Sequence, residues 1–222
     1  VVGSTNQTAS YTSGSGSTDL VFRYMIQSGD NDTNGISIGA DVLVLNSGTI
    51  RDAALNDAIL AHDAVPDNSS VKVDTTPPSV DNFTMSDTEL KIGDNATVTL
   101  VFSEAVIEFS SAADITADNG SLSTMTSSDN ITWTGTFTPT DDREDPSNTL
   151  TLDNSTNFYT DLAGNRGFDN QTANYEVDTR EPTVSSVAIT SAAGVQNSFV
   201  NAGDNVSVTA TFSEAVIVDN SS

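Results

Sequence analysis

Acidic side chains recur at fixed places in two near-copies of one sequence pattern. Asp74 and Asp178 each stand in a Val-Asp-Thr tripeptide, and Glu104 and Glu214 each stand in the pentapeptide Phe-Ser-Glu-Ala-Val. The offset between the copies is 104 residues for the aspartates and 110 for the glutamates, so about six residues are inserted in the later copy. Carboxylates are the ligands that hard cations such as Ca²⁺ prefer. The repeated acids are candidate ligands if the fold brings them together.

The segments between these acids alternate apolar and polar residues, as half-buried strands do. In residues 95–103, Val98, Leu100 and Phe102 fall on one face, and a hairpin signal separates residues 121–126 from 130–137. Roughly seven such strands in about a hundred residues are typical of an immunoglobulin-like sandwich. The predicted fold class is all-β, with tandem immunoglobulin-like β-sandwich modules.

Two linkers that contain proline divide the chain into three parts. We expect residues 1–74 to be the C-terminal part of one module, residues 75–178 a complete module, and residues 179–222 the N-terminal part of a third. We expect such a chain to be a segment of a longer array of modules. Alternatively, the two partial modules complement each other head to tail between molecules, as donated strands do. Trp133, the single tryptophan, is predicted to lie in the core.

Three motifs resemble the Ig-like repeats of giant prokaryotic surface proteins. They are the linker Val-Asp-Thr-Thr-Pro-Pro at 73–78, Phe-Ser-Glu-Ala-Val at 102–106 and the loop Asp-Leu-Ala-Gly-Asn at 161–165. Such repeats occur in large adhesins and in some S-layer and filament proteins. The first module departs from the pattern, with Leu55 where Gly164 stands, and the later linker reads Thr-Arg-Glu-Pro.

An Ig-like sandwich predicts a cation site at the junction between modules. Its first strand runs away from the incoming linker and its second strand returns, which brings Glu104 back toward Asp74. The loop before the last strand adds Asp161 and Asn165. Calcium fits such a set of oxygen ligands, and the resemblance to adhesins that stiffen their linkers with calcium supports it. The alternative is a set of solvated loop acids. Asp178 and Glu214 are the equivalent residues of the third module.

A second candidate calcium site is the run Asp-Asn-Asp-Thr-Asn-Gly at 30–35. It matches the first half of an EF-hand loop, with Asp30, Asp32 and Asn34 at the first, third and fifth positions. The twelfth position is Asp41 rather than glutamate, and strands rather than helices flank the loop. The alternative is a polar hairpin loop. The acid-rich loop at 141–145 is expected to be solvated.

Sequons are more frequent than chance predicts. The chain has 20 asparagines and 59 serines or threonines among 222 residues, so about five sequons are expected, and eleven are present. They predict glycan acceptors on an exported protein, although compositional bias is an alternative explanation. The acceptor asparagines are Asn6, Asn31, Asn68, Asn82, Asn95, Asn119, Asn130, Asn154, Asn170, Asn205 and Asn220.

The composition excludes several classes of function. Asp and Glu number 31 against 7 Lys and Arg, a net charge of -24 that argues against a nucleic-acid partner. No cysteine is present for disulfides or thiolate metal sites. The sequence contains no run of 18 apolar residues, so it predicts no insertion of this segment into a membrane. His62, the single histidine, is expected in a surface loop. The sequence contains no nucleophile motif and no phosphate-binding motif, so it does not predict an enzyme.

Three functions from different classes fit these observations. The first is a structural component of an S-layer or surface filament, with copies of itself and its neighbouring modules as partners, outside the cell at its surface. The second is a calcium-stiffened spacer of a giant adhesin. The third is an accessory carbohydrate-binding module of a secreted enzyme, which needs an exposed aromatic platform for which Tyr159, Phe158 and Phe168 are the candidates.

Overall fold

The computed structural model describes residues 1–155 and 158–220. Strands dominate the described residues, as the alternating sequence predicts. The elements are β1 (Ser10–Ser13), β2 (Val21–Arg23), β3 (Val80–Met85), β4 (Glu89–Lys91), β5 (Ala96–Phe102), a helical turn α1 (Ser111–Asp114), β6 (Ile115–Ala117), β7 (Gly120–Leu122), β8 (Thr132–Pro139), β9 (Glu144–Asn148), β10 (Leu150–Leu152), β11 (Asn170–Gln171), β12 (Tyr175–Asp178), β13 (Val184–Ala193) and β14 (Asn205–Phe212).

Residues 75–178, here called the central module, contain a four-stranded antiparallel sheet in the order β3-β5-β8-β7. Strand β5 lies in the middle of this sheet and alternates buried apolar residues with more exposed ones. In β8 the outward positions are the four threonines Thr132, Thr134, Thr136 and Thr138. This period of two is what a sheet with one buried face requires.

The other layer of the central module is built from two short sheets, β4-β12-β9 and β11-β10-β6. Only Thr149 separates β9 from β10, so these strands connect the two short sheets along the chain. Strand β12 pairs in parallel with β4 and antiparallel with β9. Strand β4 follows β3 in the sequence but belongs to the second layer. This arrangement confirms an all-β, immunoglobulin-like sandwich.

The core of the central module lies between the layers and is rich in aromatic rings. The Phe102 ring lies 4.7 Å from that of Tyr159 and 5.6 Å from that of Phe109, centroid to centroid. Trp133 is half-buried and packs against this core, with its ring 4.8 Å from Phe109. The Nε1 atom of Trp133 is buried and has no hydrogen-bond partner among the described residues.

A buried carboxylate, Asp114, lies at the end of the helical turn α1. Its Oδ2 accepts a hydrogen bond from the Ser110 amide at 2.7 Å, whereas Oδ1 has no partner among the described residues. Burial raises the pKa of the Asp114 carboxyl above its ordinary value; the Ser110 bond opposes this rise and repulsion from Asp153 adds to it. At neutral pH the folded module therefore carries an incompletely compensated charge.

We expect the central module to gain stability relative to an Asp114→Asn variant as the pH falls from 7 to about 4. Because the pKa of Asp114 is higher in the folded than in the unfolded state, the cost of its charge is present above the folded pKa and disappears below the unfolded one. Asparagine keeps an oxygen that can accept from Ser110 and does not titrate. Urea unfolding across this pH range measures the difference, and parallel pH profiles would contradict the assignment.

Strands β13 and β14 repeat β3 and β5 in register as well as in sequence. Val184 pairs with Phe212 and Ser186 with Thr211, with a bulge between them, as Val80 pairs with Phe102 and Asn82 with Val101. The Thr183 amide donates to Ser213 Oγ at 2.9 Å, and the Ser79 amide donates to Ser103 Oγ at 3.0 Å. The similarity in sequence is therefore a similarity in backbone geometry.

Residues 1–73 contain the hairpin β1-β2 and a series of isolated bridges. Asp32 pairs with Val73 in this part, and Asp145 pairs with Val177 in the central module. Val2 and Val73 are buried, whereas Phe22, Ile26 and Ile59 are exposed. This part of the chain reproduces pairings of the central module without burying a comparable apolar core.

Candidate metal centre

Three carboxylates meet where the linker enters the central module. One oxygen each from Asp74, Glu104 and Asp161 lies within 4.8 Å of the others. Asp74 lies in the linker before β3, Glu104 follows β5, and Asp161 lies in the loop between β10 and β11. Because β5 runs antiparallel to β3, its end returns to the pole at which the linker arrives. The structure thus places together three acids that are far apart in sequence.

The loop at 161–165 holds Asp161 in a fixed position. Asp161 is 1% exposed, and its carboxylate accepts hydrogen bonds from the Asn165 amide at 2.9 Å and from Asn165 Nδ2 at 2.7 Å. Gly164 adopts a φ of 89° in this turn, a conformation that glycine tolerates and most residues do not. Asn165 Nδ2 also donates to the Asp74 carbonyl oxygen at 3.0 Å. Asn165 therefore ties the loop to the linker.

The matching loop in residues 1–73 has the same hydrogen bonds. The Asn56 amide and Asn56 Nδ2 each donate to the Asp52 carboxylate at 2.8 Å. Leu55 takes the place of Gly164 and adopts a φ of 71°. Leucine in the left-handed region costs about 1–2 kcal/mol. The hydrogen bonds between Asp52 and Asn56 are thus retained in spite of that cost.

Glu104 is the least compensated member of the group. It accepts no hydrogen bond from any residue that the structure describes, and none of the ion pairs in that part of the chain includes a member of the group. Burial raises the pKa of the Glu104 carboxyl, and repulsion from Asp74 and Asp161 raises it further. A cation among the three acids would offset both effects.

The donor set fits a hard cation that prefers oxygen. Calcium takes six to eight oxygen ligands from carboxylates, carbonyl groups and water. Asp74, Glu104 and Asp161 would supply the carboxylate ligands, and Asn165 would position two of them through its amide nitrogen. A bound calcium ion would supply positive charge at the point where the linker meets the body of the module.

Asp178 and Glu214 occupy the equivalent positions at the following junction. Asp178 accepts a hydrogen bond from the Arg180 amide at 3.3 Å, as Asp74 accepts one from the Thr76 amide at 2.9 Å. The Oε1 atom of Glu214 is buried without a partner among the described residues. Among the described residues, no group of three acids includes Asp178 or Glu214.

Comparison with known protein families finds a match to the central part of the chain. Residues 74–177 match the family model of the bacterial Ig-like domain. No curated protein and no solved structure shows significant similarity to the chain. The matched range includes Asp74, Glu104 and Asp161, so the whole three-acid group falls within one Ig-like module.

The structure does not bring together the four residues of the second predicted calcium site. The carboxylate of Asp30 accepts hydrogen bonds from the Gln27 amide, Tyr24 Oη and Gln7 Nε2. These donors lower the pKa of the Asp30 carboxyl, with the Gln27 amide as the largest cause. The three donors belong to residues 7–27, and their hydrogen bonds make the start of the loop at 30–35 a hydrogen-bonded turn.

The remaining members of that predicted site point to other partners. Asp32 accepts from the amides of Gly3 and Gly35, each at 2.7 Å, and Asn34 donates to Asp67. Asp41 accepts from the His62 amide at 2.9 Å. Asp30, Asp32 and Asp41 form no three-acid group among the described residues. At Asp30 and Asp32, protein donors use both of the carboxylate oxygens that an EF-hand loop would offer to calcium.

The eleven sequons differ in how accessible their asparagines are. Asn154 is 2% exposed; its Nδ2 donates to the Gly167 carbonyl at 2.8 Å and its Oδ1 accepts from the Tyr159 amide at 2.9 Å. Its sequon ends at Thr156, which lies outside the described residues. Asn119 is half-buried and donates to Asp145 and Asn148. The others are exposed, apart from Asn170, which is half-buried, and the sequon of Asn220 also ends outside the described residues.

We expect Asn154 to carry no glycan in the folded module, because a glycan on Nδ2 would replace a buried hydrogen bond. The exposed Asn82 and Asn95 of the same module are the matched comparison. Glycopeptide mass spectrometry of protein from a host that glycosylates asparagine measures the occupancy of each site. A glycan on Asn154 in protein that unfolds cooperatively would contradict the burial seen here.

An aromatic platform for a carbohydrate is not assembled from the three predicted residues. Tyr159 is fully buried, and its hydroxyl donates to the Phe168 carbonyl at 2.7 Å. Phe158 lies under the Arg166 guanidinium, 4.6 Å from its ring centre, and Phe168 is exposed.

His62 is half-buried, and its Nε2 accepts from the Val42 amide. Among the described residues, no helix is long and apolar enough to cross a membrane.

Proposed function

We propose that this chain is part of a non-catalytic structural component of an extracellular assembly, an S-layer or a surface filament. Its Ig-like modules are joined end to end, and calcium stabilises their junctions. One observation carries the proposal: a linker acid, Asp74, lies within 4.8 Å of two acids of the module that follows, Glu104 and Asp161.

The position of the site supports a mechanical role. Asp74 belongs to the linker, whereas Glu104 and Asp161 belong to a strand end and a loop of the module body. A cation bound by all three would fix the direction in which the linker enters. The Asn165 bond to the Asp74 carbonyl already restrains the linker at this point. Calcium would therefore limit the motion of one module relative to the next.

The surface of the chain supports a location outside the cell. Extracellular modules bind calcium with dissociation constants of roughly 0.1–1 mM, so their sites fill at the calcium concentrations found outside cells. Eight of the eleven sequon asparagines are exposed, and the exceptions are Asn119, Asn154 and Asn170. A net charge of -24 also favours a milieu rich in cations.

Calcium binding by the intact chain tests the proposal directly. Isothermal titration of the wild type is expected to give a dissociation constant of roughly 0.1–1 mM. Glu104→Gln is expected to weaken this binding at least tenfold, because it removes one of three carboxylates. Glu89→Gln changes the same charge on the exposed side of β4 and is expected to bind like the wild type.

Small-angle scattering of the same samples tests the mechanical role. We expect calcium to narrow the range of particle dimensions that fits the scattering of the wild type and of Glu89→Gln. The scattering of Glu104→Gln is expected to be the same with and without calcium. Equal calcium affinity in all three proteins would show that the junction acids are not the ligands. Binding without stiffening would remove the structural role, and stiffening without self-association would favour the adhesin spacer.

A further inference from the structure

The linkers at residues 73–76 and 177–180, here called the first and second junctions, each contain the tripeptide Val-Asp-Thr. The valine is buried in the part of the chain before the junction, with Val73 7% and Val177 1% exposed. The next residue at the first junction, Asp74, lies with the acids of the central module. The threonine, which comes third, hydrogen-bonds to the part before the junction. Neighbouring linker residues therefore contact different parts of the chain.

At the second junction, Thr179 lies against the loop between β8 and β9 and is 3% exposed. Its amide donates to the Arg143 carbonyl at 2.7 Å, and its hydroxyl donates to the Thr140 carbonyl at 2.7 Å. The same hydroxyl accepts a hydrogen bond from the Arg143 amide at 3.0 Å. The loop thus binds the amide and the hydroxyl of Thr179 at the same time.

Thr75 makes the same three kinds of hydrogen bond at the first junction. Its amide donates to Asn31 Oδ1 at 2.9 Å. Its hydroxyl donates to the Asp30 carbonyl at 3.0 Å and accepts from the Gly29 amide at 2.9 Å. Both linker threonines are therefore held through one amide and one hydroxyl by a loop of the part that precedes them.

The two loops occupy equivalent places. In both cases the residue after the loop pairs with the linker valine, Asp32 with Val73 and Asp145 with Val177. The tripeptides Gly-Asp-Asn and Asp-Arg-Glu that precede these aspartates therefore correspond, although their side chains differ. Because the contact is kept while the loop sequence changes, the shared element is the linker threonine.

The residue after the threonine also contacts the loop, with different chemistry at each junction. At the first junction Asn31 Nδ2 donates to Thr76 Oγ1 at 2.8 Å, a contact between neutral groups. At the second junction the Arg180 guanidinium forms ion pairs with Asp142 and Glu144, each at 3.4 Å. Asn31 corresponds to Glu144, and Thr76 corresponds to Arg180. One pair of positions thus holds a neutral contact at one junction and an ionic contact at the other.

We propose that the linker threonine is a clamp that fixes the direction in which the chain leaves each module, and that the neighbouring residue pair determines how the clamp responds to salt. All of the clamp's donors and acceptors are protein groups, so it holds the linker before any cation binds. Because Asp74 and Thr75 are adjacent, the clamp also positions Asp74 beside the acids of the central module. This inference goes beyond the proposed function, since it needs no calcium.

Hydrogen exchange of single amides, measured by NMR with chelator present, tests the hydrogen bonds of the clamp. Thr179→Val keeps the shape of threonine and removes the hydroxyl. It is expected to speed exchange of the Arg143 amide roughly two- to tenfold, the effect of one lost hydrogen bond. Thr75→Val is expected to do the same to the Gly29 amide, and each variant is the control for the other junction. Serine at either position keeps the hydroxyl and is expected to restore slow exchange. Unchanged exchange in both valine variants would overturn the clamp.

Distances between spin labels test whether the clamp fixes the direction of the linker. The chain has no cysteine, so pairs of introduced cysteines carry the labels. Thr136→Cys on β8 with Ser10→Cys on β1 reports the first junction, and Thr136→Cys with Thr209→Cys on β14 reports the second. With chelator present, Thr75→Val is expected to broaden only the first distance distribution, and Thr179→Val only the second. Equal widths in the wild type and the valine variants would show that the threonines do not hold the linker.

Salt and charge reversal test the residue pair with the same labels. Raising sodium chloride from about 0.1 to 1 M shortens the Debye length from about 10 to 3 Å. The Arg180 side chain is 50% exposed, so this change is expected to broaden the second distance distribution and to leave the first unchanged.

Arg180→Glu places a third acid beside Asp142 and Glu144 and is expected to broaden the second distribution at low salt. Adding Glu144→Arg restores an ion pair of opposite polarity and is expected to narrow the distribution again, which a merely structural loss would not allow. An equal response of both junctions to salt, or no rescue in the double variant, would overturn the role of the pair. Because chelator is present throughout, a failure of calcium binding leaves these tests intact.

Discussion

Replacement of Phe102 by alanine is expected to lower the unfolding free energy of the central module by about 3–5 kcal/mol. Phe102 is 1% exposed, and its ring contacts the rings of Phe109 and Tyr159. The substitution removes apolar surface from the core and leaves a cavity among side chains that cannot all move to fill it. A domain has a net stability of roughly 5–15 kcal/mol, so this loss is a large part of the total.

Phe212 provides the matched control for this prediction. It occupies the same position in β14 that Phe102 occupies in β5, and it is 37% exposed. We expect Phe212→Ala to change the stability of the central module by less than about 0.5 kcal/mol. Urea unfolding followed by the fluorescence of Trp133 measures both variants. A comparable loss in both would show that residue type, and not burial, determines the effect.

Calcium is expected to raise the unfolding free energy of the wild-type central module by about 2.7 kcal/mol at a hundredfold excess over the dissociation constant. At the proposed site the ion would bind the folded state, in which Asp74, Glu104 and Asp161 are assembled, whereas the unfolded chain separates these acids. Urea unfolding with saturating calcium and with chelator gives the difference. Identical unfolding curves in the two conditions would contradict the assignment of the junction acids as ligands.

The Glu104→Gln variant is expected to change sign between the two conditions. With chelator it should be more stable than the wild type, because burial and the two neighbouring acids raise the pKa of Glu104 and make its charge unfavourable at neutral pH. With calcium it should be less stable than the wild type, because it gains little from the ion. Glu89→Gln should follow the wild type in both conditions. A Glu104→Gln protein that is destabilised equally in both would indicate a purely structural role for this side chain.

The fold class could be predicted from the sequence because strand periodicity is a local property. The alternation in residues 95–103 predicts the buried face of β5, and the repeated motifs predict that residues 179–222 begin a further module. Both follow from the chemistry of neighbouring residues along the chain. The grouping of Asp74, Glu104 and Asp161 could also be predicted, because an antiparallel first pair of strands returns the chain to its entry point.

The role of the loop at 30–41 could not be predicted in the same way. Its residues have the spacing of calcium ligands, but the donors that satisfy Asp32 include the amide of Gly3, 29 residues away. Asn154 is likewise a sequon in the sequence and a buried hydrogen-bonding residue in the fold. Competition between partners that are distant along the chain decides such cases, and a local motif carries no information about it.

The sequence by itself determined the all-β class, the repeat and the acids that the repeat places at each junction. These features depend on side-chain type and spacing, which the chain states directly. The tertiary structure alone decided which carboxylates distant donors satisfy and which asparagines are accessible. The physical reason is that a hydrogen-bond donor or a covering strand can come from any part of the chain, so only the packed molecule shows which groups are already satisfied.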